Sequence, residues 1–144
     1  MRVFKWNAAQ AVFLPEIDAE HRAIYQAAGE LQRAVEGSAP GERTLEILQA
    51  LVSAVEDHFA HEERMMAAAN YLSFDWHRQQ HDTARKRLKE VEEQVAAGDT
   101  GAVADLLQFL STWFRDHVAV ADRIVGAYLR NYGRSHAGFA ASVS

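Results

Sequence analysis

Histidine recurs on the apolar side of each helix-periodic segment of this chain, and no other feature limits the fold so tightly. His21 lies four residues after Ile17 and three before Ile24. His58 and Glu62 are four apart, within a stripe of Leu45, Leu48, Leu51, Val52, Val55, Phe59 and Met66. His77 and His81 begin a stripe continued by Ala84, Leu88, Val91 and Val95. His117 shares a stripe with Leu106, Leu110, Trp113, Phe114, Ala121, Val125 and Leu129. Steps of three, four and seven residues gather side chains on one face of an α-helix. Four such helices therefore aim their imidazoles at one interior.

The segments predict helices over about 19–35, 42–69, 73–97 and 100–132. Asp18 is the expected N-cap of the first, and Asp99 or Thr100 that of the last. Gly37-Ser38-Ala39-Pro40-Gly41, Asn70 and Gly98 mark the breaks, and Gly133 the final stop. Connections this short make consecutive helices antiparallel neighbours. The expected fold is all-α: an antiparallel up-down-up-down four-helix bundle over 1–132, with an N-terminal arm over 1–17 and a loose tail over 133–144. The 144 residues are one domain's worth, and two prolines and eight glycines argue against a turn-rich β-fold. A net charge of −5 gives no basic face for nucleic acid. Neither a signal-type apolar segment nor a membrane-length one occurs, so the expected setting is cytoplasmic with no membrane insertion.

Seven histidines and no cysteine exclude disulfides, thiolate-bound zinc, iron–sulfur clusters and thiol catalysis. A single core histidine usually hydrogen-bonds inside the core. Five of them with a carboxylate are another matter, because each unpaired buried polar group costs about 1–3 kcal/mol. A metal takes up those lone pairs. Five imidazoles exceed what one zinc ion binds, and magnesium or calcium would call for oxygen ligands. The donor set suits iron, copper, nickel or zinc, and two ions bridged by carboxylates use it well. Asp122 stays open at this point. It lies about 140° round an ideal helix from His117. It either pairs with Arg115 or Arg123 at the surface, reaches a metal from the flank, or is turned inward by a local distortion such as a π-bulge. His61 and Glu63 fall off the His58–Glu62 direction and are expected to face solvent. His136 belongs to the tail, and Met65 and Met66 read as core filler.

The ordered set Phe4-x-Trp6-Asn7, Ile17-Asp18-x-Glu20-His21, His58-Phe59-x-x-Glu62-Glu63-x-x-Met66, Tyr71 with His77-x-x-x-His81, and Trp113-x-x-x-His117-Val118-x-x-x-Asp122-Arg123 resembles the hemerythrin family, in its single-domain bacterial form, over residues 4–132. The resemblance implies a non-haem di-iron centre that binds O2 reversibly for transport, storage or delivery, rather than an enzyme. It implies His77, His81 and His117 on one iron, His21 and His58 on the other, and Glu62 and Asp122 bridging both with an oxo or hydroxo group. The second iron would keep a position for O2 within a pocket of Ile24, Phe59, Trp113, Phe114 and Val118. The family more often has Leu where Phe114 stands, Ile where Val118 stands, and Pro where Leu72 stands. An O2 or redox sensor acting on a partner protein, and a di-iron peroxidase or oxidase, are the competing functions.

Overall fold

The computed structural model describes residues 4–136, 138 and 139. Helices α1 (Pro15–Glu36), α2 (Gly41–Ala68), α3 (Phe74–Ala96), α4 (Ala102–His117) and α5 (Arg123–Ser135) follow one another. A π-helical turn, Val118–Asp122, joins α4 to α5, so the two make one long fourth column. Helix α1 packs on α2, α2 on α3, α3 on α4, and α4 back on α1. The result is the expected four-helix bundle, with no strand among the described residues.

The breaks between helices share one device. Ser38, Asn70 and Gly98 take left-handed φ of 54°, 56° and 100°. The next N–H in each case bonds a carbonyl five residues back: Ala39 to Ala34, Tyr71 to Met66, and Asp99 to Gln94. This satisfies carbonyls that a helix end leaves free and reverses the chain. At the first break the left-handed residue is Ser38, while Gly37 beside it has φ −86°.

Several expected boundaries shift. Helix α1 starts at Pro15, whose ring suits the first helical position, so Asp18 lies inside the first turn. Asp18 instead accepts the buried Val12 N–H at 2.8 Å and ties the arm to the bundle. Neither Asp99 nor Thr100 caps α4, which follows Gly101 without a side-chain cap. Gly133 does not stop α5, which continues to Ser135. Of the expected tail, residue 137 and residues 140–144 lie outside the described residues, as do residues 1–3 of the arm.

Antiparallel packing decides where the site falls. His21 is near the start of α1, His58 and Glu62 are near the end of α2, His77 and His81 open α3, and His117 closes α4. Alternating direction brings these four helix ends to one level of the bundle. The other half of the core is aliphatic, with Leu31, Leu48, Leu51, Leu88, Val91, Leu106 and Leu110 all buried. Met65 and Met66 are fully buried filler, as expected.

Candidate metal centre

Five imidazoles and two carboxylates meet inside this end of the bundle. His21, His58, Glu62, His77, His81, His117 and Asp122 are all at most 4 % exposed. Their ligand atoms fall into two overlapping groups: Glu62, His77, His81, His117 and Asp122, and His21, His58, Glu62 and Asp122. Within each group the atoms lie within 4.8 Å of one another.

Each carboxylate divides its oxygens between the groups. Glu62 Oε1 is 2.5 Å from His77 Nε2 and 3.2 Å from His81 Nε2, and Oε2 is 3.8 Å from His58 Nε2. Asp122 Oδ1 is 3.2 Å from His77 Nε2 and 3.0 Å from His117 Nε2, and Oδ2 is 3.1 Å from His21 Nε2. The π-turn makes this reach available, since i→i+5 bonding carries residue 122 round to the face of residue 117. The surface alternative for Asp122 is overturned: Arg115 pairs with Asp116, and Arg123 donates to the Ala9 carbonyl.

The Nδ1 side of the rings is equally organised. His58 Nδ1–H donates to Glu20 at 2.7 Å, His81 Nδ1–H to Glu63 at 2.7 Å, and His117 Nδ1–H to Gln80 Oε1 at 2.8 Å. An imidazole that donates from Nδ1 keeps its Nε2 lone pair for the interior. Two expectations are corrected here. His61 is buried, and its Nδ1–H donates to the second oxygen of Glu20 at 2.6 Å. Glu63 does not face solvent; it joins His81 to Arg85, whose Nη1 is 2.8 Å from Glu63 Oε2. Both residues lie on the flank of α2 that α1 or α3 covers, which helical spacing within α2 alone does not reveal. Glu20 on α1 and Gln80 on α3 likewise meet their histidines across a helix interface. Each adjoins a histidine of the cluster in sequence, and Glu20 also stands in the Ile17-Asp18-x-Glu20-His21 motif.

Electrostatics favour the charged carboxylates. Burial and the nearby Asp122 would raise Glu62, yet the His77 N–H and the adjacent His81 and His58 rings hold it down at about 2. Asp122 would also rise by burial, but the adjacent His117 ring, with those of His21 and His77, holds it well below the usual range. Burial would lower His77, and its bonds to Asp122 and Glu62 instead push it up to about 9. Burial dominates at His58 and lowers it.

Protein groups alone leave this cluster unsatisfied. His81 Nε2, His117 Nε2 and Asp122 Oδ1 have no hydrogen bond of proper geometry, although their neighbours are near. His21 Nε2 and His58 Nε2 face each other at 3.0 Å. Lone pairs turned toward one another between two carboxylates fit cations, and the nitrogen-rich donor set fits a transition metal. The seven residues therefore suit two metal ions sharing Glu62 and Asp122.

Of the five expected pocket residues, Phe59 and Trp113 lie against cluster rings. Ile24, Phe59, Phe114 and Val118 are buried and Trp113 is half-buried. Phe59 stacks on His81 with centroids 4.0 Å apart, and Trp113 stacks on His117 at 4.4 Å. Phe114 packs edge-on against Tyr25 at 6.2 Å. Trp113 also lines a groove of about 450 Å³ between α3 and α4, with Trp76 and Phe109.

An all-α bundle with a buried histidine–carboxylate cluster shared between two donor groups defines a class of metal-binding helical proteins. The model of the Hemerythrin HHE cation binding domain matches residues 12–129, and the chain belongs to the hemerythrin family. A bacteriohemerythrin of Ralstonia nicotianae is 30% identical over 133 residues, covering 92% of this chain and 93% of that protein. A myohemerythrin of Theromyzon tessulatum is 26% identical, covering 83% and 88%. The crystal structure of a hemerythrin variant, 24% identical, superposes with a TM-score of 0.83 over 90% of this chain and 98% of that one.

Proposed function

We propose that this protein binds O2 reversibly at a di-iron centre and serves as a carrier, store or delivery protein. The observation that supports the reading is the division of Glu62 and Asp122, each with one oxygen toward two histidines of the larger group and the other toward one histidine of the smaller. His77, His81 and His117 would hold one iron and His21 and His58 the other, with Glu62 and Asp122 shared between them. The group with fewer histidines would be the one to take O2. When bound, two ferrous ions supply the two electrons that O2 takes up on binding and returns on leaving.

The chain's own part is to hold, orient and exclude. Glu62 and Asp122 stay ionised without protons of their own and so present both oxygens. Glu20, Glu63 and Gln80 fix the rings of His58, His81 and His117. Ile24, Phe59, Phe114 and Val118 form a dry wall that keeps water and stray protons from the centre. The reading takes the protein to work in the cytoplasm; no helix among the described residues is long and apolar enough to cross a membrane.

Anaerobic loading with ferrous iron, followed by optical spectra through cycles of O2 and its removal, tests this function. Two irons per chain and spectra that return with each cycle are expected. Steady O2 consumption would assign the protein to the oxidases instead, and a single metal per chain would remove the di-iron reading.

A further inference from the structure

Glu20 holds two histidines at once. Its Oε1 accepts from His58 Nδ1–H at 2.7 Å and its Oε2 from His61 Nδ1–H at 2.6 Å. His58 and His61 are three residues apart on α2, while Glu20 comes from α1, so the carboxylate is clamped across the helix interface. A glutamate gripped at one oxygen still turns about its side-chain torsions; gripped at both, it is fixed. The opposite side of the cluster repeats the plan. Glu63 accepts from His81 Nδ1–H and is itself fixed by Arg85, which reaches both of its oxygens at 2.8 and 3.2 Å. In each case a cluster histidine is held by a carboxylate, and the carboxylate by an outer donor. His61 stands where Arg85 stands in the other arm.

We propose that His61 is a positioning residue for the His21/His58 half of the centre, acting through Glu20 on the ring of His58. It touches no cluster atom and is no ligand. With His61 intact, His58 Nε2 stays aimed at Glu62 Oε2 and His21; without it, Glu20 swings and the His58 ring loosens. The effect is confined to one half, because His77, His81 and His117 have their own supports or lie against other residues. This inference rests on the two-metal reading of the cluster.

The test uses full-length protein loaded anaerobically with ferrous iron, and follows iron release to a ferrous chelator. Wild type, His61→Phe, His61→Asn, Glu20→Gln and the double variant E20Q/H61F are compared. Removing such outer supports typically weakens a metal site about 10- to 100-fold. In H61F one of two irons is expected to leave about 10- to 100-fold faster while the other leaves at the wild-type rate. H61N, which keeps an N–H near the Nδ1 position, restores slow release. The double variant is no faster than E20Q alone, because both changes cut one path. E20Q removes no ring, so it carries the same question if H61F does not fold. In metal-free protein, the Nδ1–H resonance of His58 should exchange faster with water in H61F than in wild type, which needs no iron at all. Two irons bound by wild type and released at unchanged rates from H61F and E20Q would overturn the proposal, as would equal loosening of both irons. Wild type failing to bind two irons would overturn the di-iron reading itself, and this proposal with it.

Discussion

Asp122 Oδ1 lies 3.0 Å from His117 Nε2 although five residues separate them. The π-turn between them takes up one residue more than an α-helix would, so α5 leaves the turn with its apolar face still on the bundle. Deleting the exposed Ala119 should therefore convert the turn to ordinary helix and leave His117 and the aspartate four apart on one face. The variant is expected to fold and to bind the same number of metal ions as wild type. Deleting the exposed Ala127, within regular α5, should rotate Tyr128 and Leu129 off the core and lower stability by several kcal/mol. Thermal melting and metal content decide it. A collapsed Ala119 deletion beside a well-folded Ala127 deletion would mean the turn is not a one-residue insertion.

How much of this was legible in sequence follows from periodicity. The stripes that carry His21, His58, Glu62, His77, His81 and His117 repeat at helical spacing, and short connections force their ends together, so bundle and inner cluster could both be read. Asp122 could not be placed by spacing, because a π-turn has no periodic mark and shifts a residue to a face the ideal helix denies it. The outer supports were misread for a different reason. His61 and Glu63 sit on flanks of α2 that look exposed until α1 brings Glu20 and α3 brings His81 and Arg85 across them. One-dimensional patterns identify a helix's inner face; which flank another helix covers depends on packing.

The metal-free protein should lose stability on both sides of about pH 6.5. His77 is raised from 6.5 to about 9, and His21 and His81 are raised too, so each binds its proton more tightly folded than unfolded. Their stabilisation is complete below the unfolded value and is lost as pH climbs through the folded one. His58 is lowered, so its contribution is present above 6.5 and lost as pH falls. Glu62, lowered from 4.5 to about 2, adds a further loss only below pH 4.5. Three histidines against one make the alkaline loss between pH 6.5 and 9 the larger. Bound metal replaces those protons, so the loaded protein should not show it. Urea midpoints measured across this range for both forms provide the check; a metal-free midpoint that holds or rises from pH 6.5 to 9 contradicts the argument.

Phe114 is 1 % exposed and packs between Tyr25 and Phe59. Phe114→Leu removes ring volume at a wall whose proposed role is to keep the centre dry. A stability cost of about 1 kcal/mol is expected from the poorer packing. Metal content should hold, while oxidation of the O2-loaded centre quickens because water gains room. Decay of the O2-bound spectrum reads this directly, and an unchanged rate at full iron content would take Phe114 out of the wall.

Gly126 is where α5 meets the arm. A Cβ there would stand 2.6 Å from the Val12 carbonyl oxygen and 3.2 Å from Val12 Cβ. Backbone cannot yield as a flexible side chain does, so Gly126→Ala should push the arm off α5. The arm is otherwise pinned by Asp18 on the Val12 N–H and by Arg130 on its carbonyl. The expected loss is about 1–3 kcal/mol, with the metal cluster intact because none of its residues lies in the arm. Thermal melting with metal analysis measures both, and an undiminished melting temperature would show that the arm does not press on α5.

Glu62 and His58 should separate the two halves of the cluster by stoichiometry. His58 belongs to one donor group only, whereas Glu62 belongs to both. His58→Ala removes a donor from the smaller group and leaves Glu62, His77, His81, His117 and Asp122 in place, so about one iron per chain should remain. Glu62→Ala takes an oxygen from each group and leaves Asp122 as the one carboxylate facing the Nε2 atoms of the cluster. Retention should then fall well below one iron. The two variants must be compared as folded protein, and far-UV circular dichroism before loading establishes that. Glu62→Gln provides a near-isosteric version, keeping one neutral acceptor oxygen where two anionic oxygens were shared. It is expected to retain less iron than His58→Ala. Equal retention by the two would mean that Glu62 serves one group rather than both, and the division of its oxygens would have no part in holding the second metal.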